Sequence, residues 1–230
     1  MKSKPAPAAE PGSTARRKVF IVEDHPVFRE GLVQIINSEV DLAVCGEAAD
    51  AEQALDAIPG LNPDLVLVDI SLPGKSGLEL IKDLRARNGG VKLLVLSMHD
   101  EALYADRVLR AGGDGYIMKE EDPEEVVHAI RDVLGGHIYV SEQVLAAGKA
   151  GVQSGGSTLK SRPLVQLTDV ELEVLELLGE GKTNLEIARQ LHLAARTVSA
   201  HSTQIKRKLN LKSTNALIRY AVCWVEGGKA

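Results

Sequence analysis

The sequence alternates short apolar segments with longer amphipathic ones, five times over, between residues 18 and 135. Each apolar segment is aliphatic or β-branched almost throughout, which indicates strands that are buried on both faces. Strict alternation of this kind predicts a parallel sheet with helices on both sides. The predicted strands are KVFIVE, LAVCGEA, DLVLVD, KLLVLS and GYIM, and the predicted helices lie at about 25–38, 50–58, 76–88, 101–112 and 122–135. Ligands of such sheets bind beyond the carboxyl ends of the strands, so polar residues there are the first candidates for a site.

The chain of 230 residues is long enough for two domains. The alternating pattern predicts an α/β domain over residues 17–137, and a second, entirely helical domain is predicted over residues 165–230. Residues 138–164 are rich in Gly, Ser and Ala, which predicts a linker with a short helix from Ser141. Residues 1–16 are rich in Pro and Ala and predict a disordered N-terminal extension.

Hydropathy and cysteine usage exclude several classes of protein. No apolar run approaches the roughly 18 to 20 residues that a membrane helix requires. The N-terminal residues lack the apolar stretch of a secretion signal, so we expect a cytoplasmic protein with no membrane partner. Cys45 and Cys223 fall in different predicted domains. A reducing cytosol keeps them as thiols, and we expect both to be buried small hydrophobes rather than metal ligands.

The net charge of −5 hides an asymmetry between the two halves. Residues 17–140 hold 12 Lys/Arg against 23 Asp/Glu, a net charge of −11, whereas residues 160–230 hold 11 against 7, a net charge of +4. Between Ile187 and Val225 the chain has seven basic residues and no acidic one. An acidic half joined to a basic half suggests two tasks, with nucleic acid as the natural partner of the basic half.

Five polar side chains fall at the carboxyl ends of the predicted strands. Glu23 and Asp24 end the first strand, Asp69 the third and Ser97 the fourth, and the fifth runs into Lys119. Three carboxylates in one place repel one another, which a divalent cation with oxygen ligands relieves, and Mg²⁺ suits such a site. A carboxylate can also attack phosphorus and form an aspartyl-phosphate, whose oxygens a lysine and a hydroxyl would hold. The sequence therefore predicts phosphoryl chemistry at this edge.

The segments that carry these residues resemble the receiver domain of two-component response regulators of the NarL/FixJ subfamily. They are VFIVEDHPVFREGL, PDLVLVDISLPGKSGLEL, KLLVLSMHDE and GGDGYIMKE. The resemblance implies a flavodoxin-like (βα)5 fold and phosphorylation of Asp69 by a histidine kinase. The implied ligands of Mg²⁺ are Glu23, Asp24, Asp69 and the backbone carbonyl of Ser71. The implied phosphoryl contacts are Ser97 and Lys119, with Tyr116 as an aromatic switch that reorients when Ser97 moves. We expect His99, which follows Ser97 by two residues, to lie in an exposed loop without a role in the site.

The basic half has the pattern of a helix-turn-helix. Thr168 followed by Glu171 predicts a capping box at the start of its first helix. The next helices are predicted at about 184–191, 195–210 and 213–225. The tight turn at 192–194, followed by a helix with many polar and basic residues, is typical of the element that enters the major groove.

This half resembles the LuxR-type DNA-binding domain, through LTDVELEVLELLGEGKTNLEIARQLHLAARTVSAHSTQIKRKL. The residues that the resemblance implies near DNA phosphates are Lys182, Thr183, Asn184, Arg196, Thr197, His201, Lys206 and Lys208. Those implied at base edges are Ser199, Ala200 and Thr203. Those implied at a dimer contact on the last helix are Leu217, Tyr220 and Trp224, although we expect at least two of these three to pack in the core of the domain.

Two features depart from the family pattern. His192 and Ala194 occupy turn positions where the family commonly has Gly and Ser, and that Ser usually caps the recognition helix. The base-facing positions carry small side chains, so we expect relaxed direct readout and an affinity that rests on phosphates and is steeply salt-dependent.

The function that these observations indicate is a phosphorylation-switched transcription regulator. We expect a closed form, in which the α/β domain covers the recognition helix, and an open dimer on promoter half-sites, with RNA polymerase as a further partner. A phosphotransferase or aspartyl-phosphate hydrolase is one alternative, but such enzymes place a second acid where this chain has Ser71. A constitutive DNA-binding protein with a non-phosphorylated dimerisation domain is the other alternative, although such domains typically lose a pocket residue.

Overall fold

The computed structural model describes residues 16–87, 89–99, 101–141, 144 and 163–227. The predicted N-terminal extension and the predicted helix after Ser141 lie almost wholly outside these residues. Strands and helices alternate in the N-terminal domain, as the sequence predicted. The strands are β1 (Arg17–Val22), β2 (Leu42–Ala48), β3 (Leu65–Val68), β4 (Lys92–Ser97) and β5 (Gly115–Met118). The helices are α1 (Pro26–Ser38), α2 (Ala51–Leu61), α3 (Gly77–Arg87), α4 (Glu101–Ala111) and α5 (Pro123–Leu134).

The five strands form one parallel sheet in the order β2-β1-β3-β4-β5. This is the flavodoxin-like order, so the predicted fold class is confirmed. β1 and β3 are neighbours, with Val22 beside Val68, although β2 separates them in sequence. The strand order therefore reverses between β1 and β3, and the crevice beyond their carboxyl ends is the switch point where such folds bind ligands.

Alternate residues of the strands pack into two cores, one on each face of the sheet. On β1, Phe20 and Val22 face the helices α2, α3 and α4, while Val19 and Ile21 face α1 and α5. All four are at most 1% exposed. Burial on both faces explains why the strands read as continuous apolar runs.

The C-terminal domain is helical throughout its described part. A 3-10 turn at Pro163–Gln166 is followed by α6 (Asp169–Gly179), α7 (Asn184–Gln190), α8 (Ala195–Lys208) and α9 (Thr214–Gly227). Thr168 and Glu171 form the predicted capping box of α6. Thr183 and Glu186 form a second one at the start of α7. Each box satisfies backbone N–H groups that have no partner within their own helix.

The turn between α7 and α8 forms even though it contains His192 and Ala194, which are unusual at these positions. His192 adopts a left-handed backbone with φ of 52°, which Gly would adopt at lower cost. Ala194 occupies the N-cap position of α8 and offers no side-chain hydrogen bond to it. The helix-turn-helix therefore forms with one strained residue and one missing cap.

The chain stays on the N-terminal domain beyond α5. Tyr139 pairs with Gly115 in a parallel bridge, and the backbone N–H of Ser141 donates to the carboxylate of Glu101, at 2.7 Å. Residues 138–141, which the sequence assigned to the linker, thus pack beside β5 and the start of α4.

One contact between the two domains joins α3 and α4 to the start of α6. The guanidinium of Arg107 donates to the carbonyls of Leu164 and Leu167, both at 2.9 Å, and to the carboxylate of Asp169 at 3.0 Å. The ammonium of Lys82 on α3 lies 3.6 Å from the same carboxylate. The acidic end of α6 is therefore docked on a basic edge of the N-terminal domain.

Among the described residues, no helix is both long and apolar enough to cross a membrane. Both cysteines are free thiols, with Cys45 partly buried and Cys223 exposed on α9. The expectation of a buried thiol was therefore wrong for Cys223, because it lies on the outward face of the last helix.

Candidate functional site

Three carboxylates meet at the switch point and form what we call the acidic pocket: Glu23, Asp24 and Asp69. Glu23 directly follows β1 and Asp69 directly follows β3, and both are nearly fully buried, with exposed fractions of 2% and 3%. One ligand atom from each residue of the acidic pocket, together with one from His25, lies within 4.8 Å of the others. His25 was not among the predicted site residues, yet its Nδ1 lies 2.8 Å from Asp24 Oδ1.

Lys119 supplies positive charge to the acidic pocket. Its Nζ lies 2.6 Å from Glu23 Oε2 and 2.9 Å from Asp69 Oδ2, and its side chain is 6% exposed. The ammonium also lies 4.8 Å from the centre of the Phe28 ring. Burial disfavours the charge of Lys119, but Asp69 and Glu23 outweigh that effect and raise its pKa. Burial and the charge of Asp69 raise the pKa of Glu23.

The remaining predicted residues of this site are Ser71, Ser97 and Tyr116. The backbone N–H of Ser71 donates to Asp69 Oδ1 at 3.2 Å. Ser97 ends β4 and is fully buried. Tyr116 on β5 is 1% exposed, and its hydroxyl donates to the backbone carbonyl of His99. Ser71 thus contacts Asp69 directly and Ser97 lies at the carboxyl end of β4, whereas Tyr116 reaches the segment after β4 through its hydroxyl.

A glycine fixes the loop that carries Asp69. The N–H of Gly77, at the start of α3, donates to the carbonyl of Ile70 at 2.8 Å. A Cβ on Gly77 would lie 2.0 Å from the carbonyl oxygen of Asp69, closer than any real contact. The first turn of α3 can therefore pack directly under the acceptor loop only because this position has no side chain.

His99 is a residue of the site that the sequence interpretation missed. Its side chain is 12% exposed, so the expectation of an exposed loop residue was wrong. Its Nε2 lies 2.8 Å from Ser71 Oγ, and its Nδ1 lies 2.7 Å from Glu176 Oε2 on α6. Burial opposes the charged form of His99, but the hydrogen bond to Glu176 and nearby carboxylates raise its pKa. Docking of the C-terminal domain buries this residue, which nothing in the local sequence indicates.

The predicted DNA-reading face of α8 is exposed to solvent. Val198, Ser202 and Ile205 are buried in the domain. Ser199, Ala200 and Thr203, the predicted base-facing residues, are exposed together with Arg196. The expectation that the N-terminal domain covers this helix is wrong for this structure, because docking uses α6 and the α7–α8 turn instead.

Several predicted phosphate contacts also have partners within the C-terminal domain. Lys208 Nζ lies 2.5 Å from Glu171 Oε2 and ties the end of α8 to the capping box of α6. Asn184 donates to Ser199 Oγ at 3.1 Å. The hydroxyl of Thr183 caps α7. Lys182, Thr197, His201 and Lys206 are partly buried.

The three predicted dimer residues on α9 have different surroundings. Leu217 is fully buried in the core of the C-terminal domain. Tyr220 and Trp224 are partly buried and pack against that core. The apolar surface that α9 offers is instead at Ile218, which is 40% exposed.

Comparison with known proteins gives both halves of the chain a family. Residues 19–131 match the response regulator receiver domain, and residues 165–221 match the luxR family of bacterial regulatory proteins. The nitrate/nitrite response regulator NarL of Escherichia coli K12 is 32% identical over 195 residues, which cover 85% of this chain and 90% of NarL. The oxygen regulatory protein NreC of Staphylococcus carnosus is 36% identical over 209 residues, covering 89% of this chain and 96% of NreC.

Solved structures agree with these matches. RcsB of Salmonella enterica serovar Typhimurium, bound to the rprA promoter in the presence of the phosphomimetic BeF₃⁻, is 25% identical with a TM-score of 0.59, over 90% of this chain and 98% of that one. A LuxR-family response regulator from Aurantimonas is 34% identical with a TM-score of 0.55, over 61% of this chain and 99% of that one.

A flavodoxin-like domain with an acidic pocket, joined to a helix-turn-helix domain, defines a response regulator that acts on transcription. The chain belongs to the NarL/FixJ family of two-component response regulators. The predicted family is thereby confirmed.

Proposed function

We propose that a histidine kinase phosphorylates Asp69, and that phosphorylation controls the binding of promoter DNA by the C-terminal domain. The observation that carries this proposal is the convergence of Lys119 on two buried carboxylates, Glu23 and Asp69. The ammonium of a lysine in that position can pair with the Asp69 carboxylate before the transfer and with an oxygen of the phosphoryl group after it.

In the proposed transfer, a carboxylate oxygen of Asp69 attacks the phosphorus of a phosphohistidine. The new P–O bond forms as the P–N bond breaks, and the electron pair of that bond returns to the imidazole of the kinase. The Lys119 ammonium and the Ser97 hydroxyl then hold phosphoryl oxygens. Water slowly hydrolyses the resulting acyl phosphate. Phosphoryl transfer to Asp69 and this slow hydrolysis are the only reactions that we assign to this chain.

The donor set of the acidic pocket fits Mg²⁺, because it consists of carboxylate oxygens at a site open to solvent through Asp24, which is partly exposed. The residues that would hold the ion are Glu23, Asp24, Asp69 and the carbonyl of Ser71. When bound, Mg²⁺ would neutralise the negative charge that develops on the phosphoryl oxygens.

We further propose that Ser97 and Tyr116 report the phosphorylation state to the rest of the molecule. Ser97 would move toward the phosphoryl oxygens. The backbone N–H of His99 donates to Ser97 Oγ at 3.2 Å, and the hydroxyl of Tyr116 donates to the His99 carbonyl. A movement of Ser97 would therefore disturb both of these hydrogen bonds.

For DNA binding, we propose that α8 enters the major groove with Ser199, Ala200 and Thr203 toward the base edges. Arg196 is exposed beside them, on the same helix. The other residues proposed near phosphates are Lys182, Thr183, Asn184, Thr197, His201, Lys206 and, if its ion pair with Glu171 opens, Lys208. Most of this affinity is sequence-independent and salt-dependent.

The phosphorylated protein is proposed to bind two half-sites as a homodimer in the cytoplasm and to act on RNA polymerase there. On α9, Ile218 is exposed, while Tyr220 and Trp224 are partly buried and could add to a contact between two copies. Leu217 would support such a contact from within the core rather than touch the partner.

The decisive experiment is incubation of the full chain with acetyl phosphate and Mg²⁺, followed by intact mass measurement. We expect the wild-type protein to gain the mass of one phosphoryl group and Asp69→Asn to gain none. Fluorescence anisotropy with a promoter half-site pair should then show tighter binding of the phosphorylated protein. An unchanged mass in the wild type, or equal DNA affinity with and without the phosphoryl group, would contradict the proposal.

A further inference from the structure

A chain of hydrogen bonds joins the acceptor loop to the C-terminal domain through the side chain of His99. Ser71 Oγ and His99 Nε2 are 2.8 Å apart, and His99 Nδ1 and Glu176 Oε2 are 2.7 Å apart. Ser71 lies two residues after Asp69, and its own N–H donates to the Asp69 carboxylate. Two side-chain contacts therefore separate the acceptor loop from α6.

The protons of this chain can be assigned from its chemistry. A carboxylate only accepts, so the Nδ1 of His99 carries the proton that is donated to Glu176. In the neutral imidazole the Nε2 then accepts from the Ser71 hydroxyl, and in the imidazolium it donates to that oxygen. Both protonation states preserve the two contacts, so the link does not depend on the charge of His99.

His99 makes further contacts through its ring and through its backbone. It stacks on the buried ring of Tyr104, with centroids 4.7 Å apart and planes inclined by 24°. Its backbone N–H donates to Ser97 Oγ, and its carbonyl accepts from Tyr116. His99 thus touches Ser97 and Tyr116, the two residues proposed to respond to phosphorylation, and also the C-terminal domain.

We propose that His99 is a positioning residue that couples phosphorylation of Asp69 to release of α6, by holding Ser71 and Glu176 in one hydrogen-bonded chain. The inference rests on the proposed function. Movement of Ser97 toward a phosphoryl group pulls the His99 backbone away from its docked position and breaks the contact with Glu176. Because coupling between two sites is reciprocal, the docked C-terminal domain also lowers the affinity of the pocket for a phosphoryl group or its mimic.

The test is a double-mutant cycle of Ser71→Ala and Glu176→Ala in the full chain, with no phosphate donor present. Ser71→Ala keeps the backbone carbonyl but removes the hydroxyl. We expect each single variant to tighten binding to a promoter half-site pair about fivefold or more, since weaker docking withdraws the acidic pocket, whose Asp24 lies 4.0 Å from His192 in the turn before α8 and repels DNA phosphates. The double variant should bind no tighter than the stronger single variant, because both act on one chain. Additive effects would overturn the proposal.

Beryllofluoride with Mg²⁺ is the second probe, titrated at equilibrium. Glu176→Ala should raise its affinity by about the same factor by which beryllofluoride tightens DNA binding of the wild type. Glu176→Gln keeps an oxygen that accepts from His99 and should restore most of the wild-type behaviour. Equal beryllofluoride affinity in the wild type and Glu176→Ala would overturn the coupling.

Two controls distinguish failure of the coupling through His99 from failure of the proposed function. Asp106→Ala removes an exposed carboxylate that pairs with Arg110 on the same helix α4, and it should change neither affinity. If the wild type took up no phosphoryl group or mimic, the proposed function would fail, while the cycle on DNA binding would still give its own result. Circular dichroism and the fluorescence of Trp224, the single tryptophan, verify that each variant is folded.

Discussion

Lys119 lies between two buried carboxylates, and this position has opposite consequences for stability and for metal binding. Its ammonium is 2.6 Å from Glu23 and 2.9 Å from Asp69. Loss of one partner from a buried ion pair leaves uncompensated charge. If Lys119 is removed, the uncompensated negative charge of Glu23 and Asp69 also attracts a cation more strongly.

We therefore predict that Lys119→Met lowers the free energy of unfolding by about 3 kcal/mol or more without divalent ions. The variant should bind Mg²⁺ more tightly than the wild type while it accepts phosphoryl groups more slowly. Urea denaturation, calorimetric titration with Mg²⁺ and intact mass measure the three effects. Lys92→Met, at the opposite end of the sheet, should leave Mg²⁺ affinity unchanged. Weaker Mg²⁺ binding by Lys119→Met would contradict this account.

At the level of residues, position at a strand end was sufficient to predict the acidic pocket. The carboxyl ends of parallel strands must meet, so Glu23, Asp69 and Lys119 converge whatever the loops do. His99 could not be found in this way, because Glu176 lies 77 residues away on another domain. The partner that gives His99 its role becomes adjacent only on docking.

The capping box of α6 is also the anchor of the recognition helix. Glu171 accepts from the N–H of Thr168 at 2.7 Å and from the ammonium of Lys208 at 2.5 Å. Burial acts to raise the pKa of Glu171, but these hydrogen bonds outweigh it and leave the pKa below its usual value. One carboxylate therefore stabilises the start of α6 and the end of α8 together.

We predict that Glu171→Gln lowers the free energy of unfolding of the C-terminal domain by about 1–2 kcal/mol at neutral pH. Because the folded pKa of Glu171 is depressed, its contribution is present above the usual value of 4.5 and is lost as pH falls below it. The variant and the wild type should therefore converge in stability as the pH falls toward and below 4. Urea titrations of both proteins over a range of pH, followed by Trp224 fluorescence, measure the difference in the free energy of unfolding. A difference that persists at low pH would contradict this assignment.

The turn before α8 offers a substitution in the stabilising direction. Ala194 is the N-cap residue and makes no capping hydrogen bond. Ala194→Ser should raise the free energy of unfolding by about 1 kcal/mol, since a serine at this position can accept from the N–H groups of the first turn. The same urea titration measures it. Ala195→Ser, one residue inside the helix, is the matched control and should not stabilise. Equal effects of the two substitutions would exclude capping as the cause.

The elements themselves could be predicted almost completely, because apolar periodicity and capping residues act locally. The capping box at Thr183 and Glu186 was visible as a Thr-x-x-Glu pattern and could have been predicted on the same grounds as that of α6. The left-handed conformation of His192 is not indicated by the residue itself, and the only signal for it is the glycine that the family commonly has at this turn position.

At the scale of the whole molecule, we expect the division of charge and the exposed face of α8 to determine how the proposed DNA binding depends on salt. Arg196 is exposed on that face. We predict a steep linear decrease of log K with log salt concentration for a half-site pair, and a slope smaller by about 1 for Arg196→Ala. Fluorescence anisotropy over a range of salt concentrations measures it. Arg87→Ala, on the N-terminal domain, should keep the wild-type slope. An unchanged slope in Arg196→Ala would remove this residue from the phosphate contacts.

The arrangement of the domains is the part of the structure that sequence could not predict. The acidic and basic halves suggested that the N-terminal domain covers the recognition helix. The contacts are instead specific ones, such as Arg107 with the carbonyls before α6. Net charge favours association in general, but the positions of individual donors and acceptors select the surface.

Both ends of the interdomain connection lie beside α4. Ser141 is bonded to Glu101 at the start of α4, and Pro163 stands just before the carbonyls that Arg107 of α4 binds. The 21 residues in between could span about 70 Å at full extension. The two domains are thus tethered with their binding surfaces close together, at an effective concentration that can reach the millimolar range. At such a concentration, even an interface too weak to join two separate proteins would keep the domains docked, and the proposed release would then require a change of only a few kcal/mol in the pocket.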